Sequence, residues 1–324
     1  MVAATVPHAD AKGDPRLGAV VLTHNRVDEV SRTLARLSAL PGHPQIVVVD
    51  NASSDGTPAA IRARFPGVRY VRLAANRGAA ARNVGVALCD RPYLALCDDD
   101  TWWAPGGLRR AADLLDAYPS LAVVTAKLLV GPSGRVDPVS ELMAVSPVRW
   151  STALPGAPLL GFLAGASVVR RAAFLRAGGF EPRLFLGGEE ELLAIDLASA
   201  GWGLAYVDEL VVHHFPSALR DRAGRRRLIA RNGLWIAWLR RPYSRALAKT
   251  AALARAATSD PVARDGLLDA LRDLPWALRH RRVAPPQVEA QLRRVEEQKG
   301  GRGGAGHSAR RALAMLSREA RSAG

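Results

Sequence analysis

The first 130 residues alternate continuous apolar runs with stretches of helical period. Residues 17–23, 45–49, 68–73, 93–97 and 121–126 are rich in β-branched and aliphatic side chains and read as strands. Between them, 27–40 sets Val30, Leu34, Leu37 and Leu40 on one helical face, and 57–65, 78–88 and 105–118 supply three more helices. Strands without polar alternation are covered on both faces, and helices between them make the crossovers that parallel neighbours need. The pattern predicts an α/β fold with a mostly parallel sheet flanked by helices.

From 131 to 158 Pro, Gly and Ser recur without period, as in a long loop over a site or an irregular half of a domain. Order is expected to resume over 160–169, followed by a helix at 171–177 and a Gly178-Gly179-Phe180 turn. A helix then opens on Gly188-Glu189-Glu190-Glu191 and closes at Gly201, and a strand over 205–212 runs into His213-His214. Four segments, 219–241, 243–257, 267–279 and 288–297, read as helices; a Gly-rich break at 300–306 and a weak basic helix at 309–321 follow. The expected division is a leader at 1–16, a sheet-bearing half at 17–130, a second half at 131–218, a basic helical extension at 219–298 and a tail at 299–324.

Composition sharpens this picture. A chain of 324 residues, 48% hydrophobic, can bury a sizeable core. Neither a secretory leader nor an apolar run of membrane-spanning length is found, so a cytoplasmic protein is expected. Cys89 and Cys97 lack metal-site spacing and read as reduced core thiols. The net charge of +15 is unevenly spread: residues 1–219 hold 21 Lys and Arg against 21 Asp and Glu, whereas 220–324 hold 24 against 9. The basic third suits an anionic partner such as a membrane surface or a lipid-linked phosphate.

Ligands of open α/β sheets bind at the C-terminal ends of the strands. The polar sequences fall there: Thr23-His24-Asn25-Arg26, then Asp50-Asn51-Ala52-Ser53-Ser54-Asp55-Gly56, then Asp98-Asp99-Asp100. Three successive carboxylates repel unless a cation offsets them, and oxygen donors suit Mg2+ or Mn2+ bridging to a substrate diphosphate. The competing reading is a solvated acidic turn at a helix start. Asp50 can accept the imide N–H of a pyrimidine, or simply cap the turn that follows it. His213-His214 offers a metal ligand or ordinary packing, and Trp102-Trp103 a wall for sugar or acceptor or plain core.

In this order, these segments together with Asn76-Arg77-Gly78 and Ala81-Arg82-Asn83-Val84-Gly85 resemble the motifs of family-2 glycosyltransferases with the GT-A fold, bacterial rhamnosyltransferases among them, over about residues 17 to 240. The resemblance implies a nucleoside-diphosphate-sugar donor held by Thr23, Asn25, Arg26, Asp50, Asn51, Asn76, Gly78, Arg82, Asp98 and Asp99. It further implies a metal ion at Asp100 with His214, and a general base at Glu190 with Glu189 beside it. Glu190 stands where the family has Asp, which leaves Glu189, Glu190 and Glu191 as alternatives; acids in a first helical turn are also favoured by the helix dipole alone. The implied reaction is an inverting, metal-dependent transfer to a glycan, lipid-linked or small-molecule hydroxyl in cell-envelope or polysaccharide synthesis.

Two other classes remain to be weighed. A sugar-nucleotide-forming nucleotidyltransferase would carry a Gly-rich basic loop after its first strand, where Thr23–Arg26 has no glycine. A non-enzymatic nucleic-acid binder would use the basic tail, although the acidic triplet repels phosphates, so no nucleic acid is expected. The absence of G-x-G-x-x-G after the first strand argues against a dinucleotide oxidoreductase. The stretch 219–241 mixes Arg225, Arg226, Arg227, Arg231, Arg240 and Arg241 with Leu234, Trp235, Ile236, Trp238 and Leu239. That mixture suits a helix lying peripherally on the anionic inner membrane face, or one packed on the body with solvated arginines.

Overall fold

A computed structural model describes residues 13–216 and 222–301. The leader up to residue 12, residues 217–221, and the tail from 302 with its expected helix at 309–321 lie outside the described residues. In chain order the elements are β1 (Leu17–Thr23), α1 (Val27–Ser38), β2 (Gln45–Asp50), α2 (Thr57–Arg64), β3 (Arg69–Arg72), α3 (Arg82–Leu88), β4 (Tyr93–Asp98), β5 (Thr101–Trp103) and α4 (Gly107–Ala117). There follow β6 (Leu121–Val130), β7 (Arg135–Val136), α5 (Pro138–Ala144), β8 (Ala157–Pro158), β9 (Ser167–Arg170), α6 (Arg171–Arg176), α7 (Glu189–Ser199) and β10 (Gly203–His214). The extension comprises α8 (Arg222–Arg240), α9 (Tyr243–Ala257), α10 (Pro261–Arg272), α11 (Leu274–Arg279) and α12 (Pro286–Gly301).

One sheet runs in the order β3-β2-β1-β4-β9-β6-β10-β5, with β7 on β6 and β8 on β10. The strands β3, β2, β1 and β4 are all parallel; β2, β1 and β4 carry the continuous apolar sequences of strands covered on both faces, while the edge strand β3 is Arg-Tyr-Val-Arg. Only β9 separates β4 from β6, antiparallel to both. The register sets Thr23 beside Asp50 and Leu22 beside Asp98, so three polar segments end at one edge. The chain order reverses between β1 and β4, which is where open α/β sheets form their crevice. Side chains alternate between two cores: Leu17, Ala19 and Val21 meet α1 and α4, while Val20, Val47 and Val49 meet α3 and α6.

Three departures from the expected pattern have clear causes. Residues 101–103 pair with β10 as β5 rather than leading straight into a helix; Trp103 is 1% exposed in the core, and Trp102 stacks on Phe215. The irregular stretch after 130 holds β7, α5 and β8, elements too short to show a period. The helix expected over 267–279 is two, because Asp273 leaves the helical conformation just ahead of Pro275.

A third core lies between the body and the extension. Leu234, Trp235, Ile236 and Leu239 of α8 are buried there with Leu192 and Ile195 of α7, and Trp235 Nε1 donates to the Ala270 carbonyl at 3.0 Å. This corrects the reading of α8 as a helix offering its Trp and Leu face to a membrane: that face is core. Several of its arginines are paired rather than solvated. Arg240 holds Asp196 of α7 with bonds of 2.5 and 2.9 Å. Arg241 holds Glu289 at 2.6 and 3.1 Å and Glu296 at 2.7 and 3.1 Å.

Removing one member of a buried pair leaves the other charge stranded. Arg241→Met is expected to lower unfolding stability by about 3 kcal/mol in urea titration, with Arg241→Met/Glu289→Leu recovering part of the loss. Burial by itself raises Glu289, but the Arg241 and Arg293 hydrogen bonds outweigh it and hold the carboxyl below its ordinary range. The pair's contribution is therefore complete at neutral pH and fades as pH falls below the ordinary glutamate range through that lowered value.

Candidate active site

The end of β4 turns sharply after Asp98. Its backbone N–H donates to Thr101 Oγ1 at 2.9 Å, and Thr33 Oγ1 of α1 donates to the Asp99 carbonyl at 2.8 Å, so two hydroxyls fix the acidic turn. The three side chains then diverge. Asp98 is 43% exposed at its side chain and pairs with the buried guanidinium of Arg82 at the start of α3. Asp99 accepts from Thr23 Oγ1 at 3.0 Å, and burial, with repulsion from Asp100 and Asp98, pushes its carboxyl up to about 7 despite Arg26 nearby. Asp100 has Arg26 Nη1 at 3.4 Å on one oxygen and His214 Nε2 at 3.5 Å on the other.

His214 stands on β10 and faces Asp100, whereas its neighbour His213 stacks with Trp102 at 6.1 Å between centroids. Asp100 and His214 thus offer a hard oxygen and an imidazole nitrogen side by side. Such a pair could hold an Mg2+ or Mn2+ ion, which oxygen and imidazole donors suit. Among the described residues no group of three His, Cys, Asp or Glu side chains could hold a metal ion.

The second acidic group meets the first across the Ala164–Ala166 turn. Gly165 packs so closely that a Cβ there would lie 2.6 Å from Asp98 Oδ2, and Ala164 N–H donates to Glu190 Oε1 at 3.3 Å. Glu190 keeps some exposed surface, but its carboxyl is enclosed. Desolvation first, and the repulsion of Glu189 second, raise it well above the ordinary glutamate range. Burial likewise raises Glu189, whose Oε2 has no hydrogen-bond partner among the described residues. Arg82 acts on both acids from the opposite direction, and its own Nε is buried without a partner among the described residues. Glu191 points outward, exposed.

The remaining expected donor residues form a bonded floor. Asn51 donates through Nδ2 to Asn76 Oδ1 at 2.8 Å and to the Gly78 carbonyl at 3.1 Å, while its Oδ1 accepts from Arg77 N–H at 2.7 Å. Asn25, at φ 52, receives Ser54 N–H on Oδ1 at 2.7 Å and gives its own N–H to Ser53 Oγ at 2.9 Å. Asp50 has no exposed surface; Ser53 N–H and the Tyr70 hydroxyl donate to its two oxygens at 2.8 and 2.5 Å. A base reaching Asp50 therefore has to share an oxygen with one of these donors.

Several contributors were not singled out from the sequence: Tyr70, Thr33, Thr101 and Asn232, which donates from α8 to the turn ahead of Glu189. Asn232 left a trace, since a lone amide sits between Ile229 and Ile236 on the apolar stripe of a helix, where asparagine is unfavourable. The threonines left none.

Residues 19–170 match the sequence model described as Glycosyl transferase family 2. N-acetylglucosaminyl-diphospho-decaprenol L-rhamnosyltransferase of Mycobacterium tuberculosis (strain ATCC 25618 / H37Rv) is 29% identical over 235 residues, 61% of this chain and 76% of that protein. Succinoglycan biosynthesis protein ExoU of Rhizobium meliloti (strain 1021) is 30% identical over 195 residues, 56% of each chain. The solved mannosyltransferase PcManGT from Pyrobaculum calidifontis, in complex with GDP-Man and Mn2+, superposes with TM-score 0.53 at 22% identity, covering 98% of this chain and 84% of that one. S. aureus TarS 1-349 in complex with UDP-GlcNAc gives TM-score 0.57 at 17% identity, covering 85% and 83%. The two solved structures share the fold, and the stretch that matches the family-2 model runs through the acidic triplet; the chain resembles glycosyltransferase family 2 and is a glycosyltransferase with the GT-A fold.

Proposed function

We propose that this glycosyltransferase moves a sugar from a nucleoside-diphosphate donor to an acceptor hydroxyl with inversion at the anomeric carbon, assisted by Mg2+ or Mn2+ at Asp100 and His214. One observation carries the reading: the β4 carboxylates and the enclosed Glu190 carboxyl face each other through Arg82 and the Ala164–Ala166 turn. An ion at Asp100 would supply positive charge beside the departing diphosphate. The floor of Asn25, Asn51, Asn76 and Gly78, with Asp50 and Tyr70 behind it, suits the nucleoside end of the donor.

Glu190 takes the proton of the acceptor hydroxyl. The oxygen bonds the anomeric carbon as the bond from that carbon to the diphosphate breaks, and the electron pair leaves with the diphosphate. A raised carboxyl is a better base than an ordinary glutamate, because its affinity for the proton is closer to what the step demands. Arg82, between Asp98 and the acid pair, keeps the two groups of carboxylates from repelling each other apart.

The Mycobacterium tuberculosis relative is named for L-rhamnosyl transfer to N-acetylglucosaminyl-diphospho-decaprenol. By that likeness the proposed donor is a nucleoside-diphosphate deoxyhexose and the acceptor a lipid-linked diphosphate sugar in cell-envelope synthesis, met at the inner membrane face. No helix among the described residues is long and apolar enough to cross a membrane. A peripheral contact is supported instead by α9, where Tyr243 and Leu247 are 59% and 57% exposed near Arg245 and Lys249.

With a panel of sugar nucleotides and Mn2+, purified Asp100→Ala and Glu190→Gln are expected to stay folded and lose transfer, Glu190→Gln by about a hundredfold to ten-thousandfold. Wild-type turnover by Glu190→Gln would remove that residue from the mechanism. Because Glu190 is raised, it stays protonated, and so idle as a base, to a higher pH than an ordinary glutamate. The rate kcat/KM should therefore fall on the acid side from a pH above the ordinary glutamate range, and Glu190→Gln should abolish that limb. Sedimentation with anionic vesicles should weaken in Tyr243→Ser/Leu247→Ser; equal sedimentation of both proteins would remove α9 from any membrane contact.

A further inference from the structure

The turn that delivers Glu189 and Glu190 is gripped from behind by one side chain of the extension. Asn232 is fully buried on α8, and its Nδ2 donates to the carbonyls of Leu184, Leu186 and Gly187 at 2.8, 3.1 and 2.5 Å. Its Oδ1 accepts from Arg231 Nε at 2.9 Å, and Arg231 Nη2 adds bonds of 3.1 Å to the Arg183 and Leu184 carbonyls. Backbone carbonyls withdrawn from water require partners, and the two N–H groups of one helical amide are shared among three of them within four residues.

The turn so held would not rest in its conformation unaided. Phe185 has φ 61 and ψ −64, a region that a residue with a side chain adopts only where its surroundings over-determine it. Its carbonyl faces the donor side, accepting Ala79 N–H at 2.6 Å; a Cβ on Gly78 would lie 2.0 Å from that oxygen. Behind, Gly187 and Gly188 have φ 87 and 96, and a Cβ on either would come within 2.9 Å of Ile229 or Ile236 of α8. The 184–188 turn is thus wedged between α8 and the Gly78–Ala79 segment, with no slack on either side.

We propose that Asn232 is a positioning residue: by holding the carbonyls of the 184–187 turn it sets Glu190 at a fixed distance from the donor-side segment that begins at Gly78. It acts through Glu190 and touches no reacting atom. Its kinetic consequence rests on the transfer reaction proposed above, while the clamp itself is testable without that reaction.

Hydrogen exchange read by mass spectrometry on the full chain, comparing wild type with Asn232→Leu, provides the test. Peptides spanning 184–192 and the Ala79 amide should exchange roughly tenfold faster in the variant, as expected of a local opening, while β1 and β2 stay protected. In the same variant kcat should fall on the order of a hundredfold, the scale of a misplacement of about an ångström, with the KM for the nucleotide sugar and Mn2+-dependent binding of UDP, GDP or dTDP unchanged. Unchanged exchange over 184–192 overturns the clamp whether or not any sugar is transferred; a rise in KM at constant kcat overturns the positioning role. If wild type transfers no sugar, the reaction fails while the exchange result still decides the clamp. Asn232→Ser, which keeps one donor, should fall between the two proteins and carries the comparison if Asn232→Leu does not fold.

Discussion

Adjacent carboxylates at the end of a buried strand push each other apart unless something opposes their charge, and much of this molecule is arranged around that opposition. Arg82 arrives from α3 to meet Asp98, Arg26 from the end of β1 to meet Asp99 and Asp100, and His214 from the far side of the sheet to meet Asp100. Three elements distant in sequence are thereby drawn to one point. The packing around it follows: Gly165 must lack a side chain to admit Asp98, and the hydroxyls of Thr23, Thr33 and Thr101 satisfy groups that the turn leaves exposed to one another.

The same charges tie the two acidic groups into a single electrostatic unit. Arg82 pairs with Asp98 and opposes the charge of Glu189 and Glu190, so removing its charge would raise the cost of ionising the two glutamates. Glu190 is kept partly desolvated by the Ala164–Ala166 turn, which also shapes the space beside Asp98. Its basicity and the geometry of β4 are consequences of one arrangement.

What the sequence made legible was whatever acts through neighbours in the chain. The strands β1, β2 and β4 were readable because burial on both faces leaves continuous apolar runs, and the loops that follow them carry their polar residues within a few positions. Pairings across the sheet were not. Arg82, expected beside phosphate, meets Asp98; Asp50, expected to read a base, is engaged by Tyr70 and Ser53. The basic face of α8 looked fit for a membrane because its acidic partners, Asp196, Asp260, Asp269 and Glu289, stand on helices or turns far along the chain. Short antiparallel strands such as β5 and β9 were hidden for a related reason: three or four residues are too few to show alternation, and their existence depends on partners already in position.

The strand β9 has a mechanical meaning. By bonding to β4 on one side and β6 on the other it splices both halves into one continuous hydrogen-bonded surface. Rotating one half against the other would shear those ladders, at a cost that grows with each bond broken. Among the described residues this sheet offers no break about which one half could swing shut on a substrate. Capture and release must be the work of the rim, the segments that rise above the strand ends, while the platform beneath them stays rigid.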